Sequence, residues 1–105
     1  MRAIHLLHLD KARPALILTR ETVGARMSKV TVAPITSTIR GLSTEVPVGR
    51  ANGLDQDSVV SCDNITTVDR GAVGARIGTL LPAQEAALAA AVIAAFDLAA
   101  PRPPA

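Results

Sequence analysis

Thr36, Ser37 and Thr38 set three hydroxyls in succession, and Arg40 and Gly41 follow closely. A strand end that carries hydroxyls beside a guanidinium suits contact with a phosphate or a sugar. The plainer alternative is a polar strand terminus running into a turn, because Ser and Thr are common where strands meet loops. Arg13 supplies a second guanidinium, just ahead of the aliphatic run Ala15-Leu16-Ile17-Leu18-Thr19. If that run and the strand ending near Thr36 are antiparallel neighbours, the start of one lies beside the end of the other. Arg13 then shares a rim with Thr36, Ser37 and Thr38, and Arg40 joins them. An arginine that neutralises a phosphate, beside a hydroxyl that holds it or relays a proton, supports phosphodiester cleavage without a metal.

Other reactive residues form weaker sets. His5 and His8 are three apart on an expected strand. Alternate strand residues share a face, so these two point to opposite faces unless a bulge intervenes, and they do not form an acid–base pair. Asp55, Asp57, Asp63 and Asp69 match no metal-ligand spacing, and strand residues intervene between them. Ser58 and Ser61 lack a nucleophile motif and a nearby histidine. Cys62, inside an apolar strand, reads as inert core. No Gly-rich phosphate loop is present.

Composition narrows the classes further. The chain of 105 residues suits one domain, and 49% hydrophobic residues allow a substantial core. That core is aliphatic, because Phe96 is the only aromatic residue. A nucleic-acid binder built from this chain cannot offer an aromatic stacking platform. It must use polar groups on base edges, phosphates and ribose. A net charge of +2 and a pI of about 9.3 permit a polyanionic partner without demanding one. The single cysteine excludes an intrachain disulfide and a thiolate zinc cluster. The start, Met1-Arg2-Ala3-Ile4-His5, lacks a signal-peptide layout. The longest uncharged apolar run, Ala86 to Phe96, covers 11 residues, against roughly 20 for a bilayer span. The expectation is a soluble, cytoplasmic protein needing no cofactor.

The elements that must position these residues follow from local pattern. Ala3–Leu9 reads as a strand, Asp10–Ala12 as a tight connection, and Arg13-Pro14 as the opening of a second strand through Thr19. Arg20–Ser28 reads as a loop and Lys29–Ile35 as the third strand. Thr44–Val48 reads as an edge strand, bounded by Pro47 and Gly49. Gly49–Asp57 is a loop, Ser58–Cys62 a strand, Asp63-Asn64 a turn, and Ile65–Val68 a strand. Asp69–Val73 suits one helical turn and Arg76–Leu80 a last short strand. Residues 82–98 predict one long helix, with Pro82 at its first position, Glu85 in its first turn and an Ala-rich body. The tail 99–105 is Pro-rich, cannot continue the helix, and is expected to be disordered.

Short strands with frequent turn signals and one terminal helix predict a mainly β protein: a small barrel or curled sheet with a C-terminal helix, spanning residues 1–98. From Ala86 to Phe96 that helix carries no polar residue. A helix lying on a single barrel should show a polar face. A helix apolar all round predicts a second cover, hence a homodimer with this helix at or near the interface. The alternative is that alanine tolerates exposure.

These residues also carry a resemblance. Arg13-Pro14-Ala15-Leu16-Ile17-Leu18 resembles the "RPVLVL" segment of MazF/PemK-type endoribonuclease toxins. Val32–Gly41 resembles the family's "APITS" segment. Thr44–Val48, Gly53-Leu54-Asp55 and Ser58–Asp69 follow in the family's order, so the likeness runs from about Ala3 to Leu98 and leans toward mycobacterial-type members. The resemblance implies an SH3-like barrel with a C-terminal helix, working as a homodimer. It implies metal-independent cleavage of single-stranded RNA at short sequence motifs, giving 2′,3′-cyclic phosphate and 5′-hydroxyl ends. It implies a MazE-like antitoxin whose tail blocks the RNA groove. The family's active-site arginine falls on Arg13 and its threonine on Thr36; Asp63 and Asn64 fall where the family contacts RNA. Ser37, Thr38 and Arg40 are expected RNA contacts beside them. Two departures stand out. The family's opening Gly-Asp pair is missing, and the connection before "RP" is only Asp10-Lys11-Ala12, which leaves the groove more open.

One gap remains at this level. Arginine stays protonated at neutral pH and threonine is a poor base, so the proton acceptor is unassigned. The competing reading is a non-catalytic β-barrel module that binds protein or nucleic acid.

Overall fold

The computed structural model describes residues 2–20 and 27–99. Most of the loop expected over Arg20–Ser28, and the tail after Ala99, lie outside the described residues. Seven strands are described: β1 (Ala3–His8), β2 (Ala12–Ile17), β3 (Lys29–Thr36), β4 (Glu45–Val48), β5 (Ser58–Ser61), β6 (Thr66–Asp69) and β7 (Val73–Thr79). One α-helix, α1 (Glu85–Phe96), follows. Their order in the sheet is β4-β5-β3-β2-β1-β7, with β6 paired to β3. All pairings are antiparallel.

The strand β3 organises this sheet. Along one edge it pairs with β2; along the other it pairs with β6 through Val32 and then with β5 from Ile35. Pro34 falls in the gap between those two partners, where a missing N–H breaks no ladder bond to either. Alternation then sorts its side chains. Val30 and Val32 join Leu7, Ala15 and Val68 on one face. Ala33 and Ile35 join Ile4, Leu16, Val46, Val60 and Leu80 on the other, against Leu88 and Ala91 of α1. The two faces share the chain's buried aliphatics.

Among the described residues the ladder is not a closed barrel, because β4 and β7, at the two ends of the order, do not pair with each other. The seam between them is filled by the 3-10 turn Arg50–Asn52. Asn52 is 2% exposed. It accepts from the Gly49 N–H (3.0 Å) and donates to the Thr79 carbonyl (2.9 Å) and to Gln84 Oε1 (2.6 Å). Gln84 Nε2 donates back to Asn52 Oδ1 (3.2 Å). Gly53, at φ +90°, packs its Cα against the Ile77 carbonyl, and any Cβ there would collide with it. This turn joins one end of the sheet to the other in place of a strand ladder.

Boundaries differ from expectation where tertiary pairing decides them. Pro14 lies two residues inside β2 and one before its ladder with β3 begins at Ala15. The expected helical turn after Asp69 is the 3-10 turn Arg70–Ala72. The helix expected over 82–98 splits into a 3-10 turn, Pro82–Gln84, and α1, which ends at Phe96 as Asp97 turns left-handed (φ 52°). In α1, Leu88 and Ala91 are buried while Ala86, Ala87, Ala89, Ala90 and Ala94 are exposed.

Candidate active site

β2 and β3 pair with Ala15 opposite Pro34, Leu16 opposite Ala33 and Ile17 opposite Val32. Each pair sums to 49, so continuing the register by two residues sets Arg13 opposite Thr36. A two-residue step keeps both on the face shared by Ala15 and Pro34. Arg13 is exposed and Thr36 half-buried. The β2–β3 ladder itself ends at Ala15–Pro34, and Arg13 and Thr36 lie just beyond it on neighbouring strands.

A cleft of about 500 Å³ opens at this rim. The β2–β3 end supplies Arg13, Pro14, Ile35, Thr36 and Ser37. The loop before β5 supplies Gly53, Leu54, Asp55, Gln56 and Ser58, and Leu6 and Ile77 complete the lining. Thr36 pairs with Val59, which brings the start of β5 and its preceding loop against the end of β3. Ile77 reaches the cleft through a bulge. Ile4 and His5 are consecutive, yet their β7 partners, Gly78 and Arg76, skip Ile77. Bulges re-aim side chains in this way. Arg13 and Asp55 are the charged residues among the cleft's lining.

Thr36 Oγ1 accepts the Thr38 N–H (3.1 Å), so its own hydroxyl hydrogen is left to be donated. The following loop is held by Glu45, whose carboxylate accepts the Arg40 N–H (3.1 Å) and the Leu42 N–H (3.0 Å). Gly41 adopts φ +73° between them. Thr38 and Arg40 are held by their backbone in this loop and do not line the cleft, whereas Ser37 does. Asp63 accepts from Thr44 Oγ1 (2.7 Å) and Asn64 donates to Ser61 Oγ (2.8 Å). These two form a neighbouring exposed turn outside the cleft lining.

The remaining candidates fall away. His5 Nδ1 donates to the Gly74 carbonyl (2.9 Å), tying β1 to β7. The extra residues of the β1–β7 irregularities lie on β7, and β1 stays regular against β2, so His5 and His8 keep opposite faces. Cys62 is buried, and burial, followed by the nearby Asp63 charge, pushes its thiol pKa up. Among the described residues, no three His, Cys, Asp or Glu side chains cluster as metal ligands. Sequence reasoning weighed Asp55 only as a metal ligand and passed over Gln56. The available signal was the Gly53-Leu54-Asp55 block, whose glycine marks a turn returning toward the strand end.

Residues 8–96 match the model of the PemK-like, MazF-like toxin of type II toxin–antitoxin systems. The chain belongs to this family. It is 61% identical over 98 residues to the Mycobacterium tuberculosis endoribonuclease MazF3, covering 93% of this chain and 95% of that one. The solved Mycobacterium tuberculosis toxin MazF-mt6 superposes with a TM-score of 0.91 at 60% identity, over 93% of this chain and 99% of the other. A mycobacterial endoribonuclease solved in complex with its cognate antitoxin gives a TM-score of 0.83 at 26% identity, over 94% and 95% of the two chains. The PemK/MazF resemblance and the mainly β fold with a C-terminal helix are thereby established. The SH3-like barrel is realised as a curled sheet with its seam packed rather than hydrogen-bonded strand to strand.

Proposed function

We infer that this chain is the toxin of a type II toxin–antitoxin system and a sequence-specific endoribonuclease that stops translation and growth. The single observation that supports this best is that Arg13 and Thr36, just past the end of the β2–β3 ladder, line one cleft. Cleavage proceeds by attack of a ribose 2′-hydroxyl on the adjacent phosphate, leaving 2′,3′-cyclic phosphate and 5′-hydroxyl ends. Arg13 supplies a fixed positive charge where negative charge grows on the phosphate, which is often the largest catalytic contribution. Thr36 donates its hydroxyl hydrogen to the phosphate or relays a proton, and Ser37 adds a further hydroxyl. Thr38, Arg40, Asp63 and Asn64 extend the RNA contact beyond the cleft on a loop and turn already ordered by hydrogen bonds. The 2′-hydroxyl is the nucleophile, so DNA is inert.

Two partners follow. A MazE-like antitoxin lays its tail over the cleft and blocks RNA, in keeping with the antitoxin-bound mycobacterial relative. A second copy packs on α1, whose outward face is alanine and whose flank forms an apolar groove of about 500 Å³ with Phe96 55% exposed. Among the described residues no helix is long and apolar enough to cross a membrane.

The test is incubation of the purified protein with end-labelled single-stranded RNA in EDTA. New 5′-hydroxyl and cyclic-phosphate ends at a recurring short motif are expected. RNA binding without cleavage would replace this reading with the binding module, and activity abolished by EDTA would replace it with a metal-dependent hydrolase.

A further inference from the structure

Single-stranded RNA is recognised with its bases splayed out and stacked on flat side chains, histidine among them. The lining of the cleft offers no such surface; it is aliphatic and polar around Arg13 and Asp55. Phe96, the one Phe, Trp or Tyr in the chain, lies in the α1 groove instead. We propose that the exposed imidazole of His8 is the stacking platform for an RNA base next to the scissile phosphate. This subsite rests on the endoribonuclease reading and extends it from the phosphate to a base.

Strand pairing puts His8 at the border of the cleft. His8 follows Leu6 by two residues on β1, so both side chains leave the same face of the sheet, about 7 Å apart. Leu6 lines the cleft, and so does Pro14, its partner on β2. His8 pairs with Ala12, the residue before Arg13. His5 does not share this task, because it leaves the opposite face and its Nδ1 is tied to the Gly74 carbonyl (2.9 Å).

The neighbours of the His8 ring seat it and leave room beside it. On the β7 side, Gly74 meets the Nε2–Cδ2 edge of the imidazole, and a Cβ on Gly74 would overlap that edge. The ring leans on β7 by its edge, so its flat faces are not spent on Gly74. On the β2 side stands Ala12, exposed and reaching no further than a methyl group. The space over Ala12 runs from the imidazole to Pro14 and Leu6, at the mouth of the cleft that Arg13 also lines. A base that swings out of the cleft meets the ring there.

The experiment measures binding of a short single-stranded RNA that carries the motif wild type cuts in EDTA, blocked by one 2′-deoxy sugar at the cut. A matched set of strands each lacks one base near that position. Wild type, His8→Ala, His8→Phe and Gly74→Ala are compared, with thermal midpoints to confirm the fold. Removing one particular base should weaken wild-type binding about 5- to 100-fold. His8→Ala should bind the intact strand more weakly by the same factor and be indifferent to the loss of that base. His8→Phe stacks but carries no proton; it should keep the penalty and the single-turnover cleavage rate. Gly74→Ala displaces the ring and should lose the penalty as His8→Ala does. A set in which no base's penalty vanishes in His8→Ala would overturn the proposal, as would a Gly74→Ala protein that keeps the full penalty. A His8→Phe protein that binds like wild type but no longer cuts would overturn it too, by making the imidazole a proton carrier. Wild type that cuts no RNA in EDTA would strike the endoribonuclease reading and this subsite together.

Discussion

Replacing Asn52 by alanine tests how the open sheet is held shut. The Asn52 amide fills both of its donor positions, to the Thr79 carbonyl and Gln84 Oε1, and accepts from the Gly49 N–H and Gln84 Nε2. Truncation leaves the Gly49 N–H and the Thr79 carbonyl without these partners at a site where Asn52 is 2% exposed. Each unsatisfied buried group costs roughly 1–3 kcal/mol. Gly49 and Thr79 are only partly buried and admit some water, so the low end applies, and the total is about 3 kcal/mol with the lost packing included. In a domain of this size that lowers Tm by roughly 10–20 °C. Urea unfolding at fixed protein concentration measures it, because association would otherwise shift the midpoint. Asn52→Asp keeps the acceptor for Gly49, loses both donors and buries a charge, so it should fall at least as far. A loss under about 0.5 kcal/mol in Asn52→Ala, with unchanged m, would refute the seam argument.

Further expectations concern the rim, its loop and the core. Arg13→Ala should lose about 10²–10³-fold in cleavage rate with an unchanged thermal midpoint, since Arg13 is exposed. Thr36→Ala should also cut slowly, and circular dichroism should match wild type. Glu45→Ala releases the Arg40 and Leu42 N–H groups; both amides should exchange with deuterium faster while the β1–β2 amides do not. Leu88, 3% exposed on the buried face of α1, should cost about 2–5 kcal/mol when changed to alanine. Cys62 has a raised thiol pKa in the fold, chiefly from burial. Its contribution to stability is present below the thiol's ordinary pKa and lost as pH climbs from there through the raised value. Cys62→Ala should flatten that alkaline decline in urea midpoints.

Local chemistry made much of this protein legible. Short apolar and β-branched runs marked β1, β3 and β5, and the expectation that Arg13 and Thr36 share a rim followed from one assumption, antiparallel neighbours, which the β2–β3 pairing satisfies. What escaped depends on contacts distant in sequence. Asp55 and Gln56 join the cleft because Thr36 pairs with Val59, a pairing invisible in the loop's own composition. Ile77 lines it because β7 bulges against β1. The seam through Asn52 needs both ends of the sheet and Gln84 together. The helix is a different case: its uninterrupted apolar sequence predicted a second cover, and within the single chain Ala86, Ala87, Ala89, Ala90 and Ala94 stand exposed.

The central claim is that Arg13 and Thr36 act on a phosphate attacked by its own neighbouring 2′-hydroxyl. Once the cut position in a short RNA has been mapped, a matched strand with a single 2′-deoxy sugar 5′ to the scissile phosphate tests this most directly. The account predicts that the substituted strand binds with near-normal affinity, resists cleavage and competes with the all-ribose strand. Cleavage of the deoxy strand at the normal rate would contradict it.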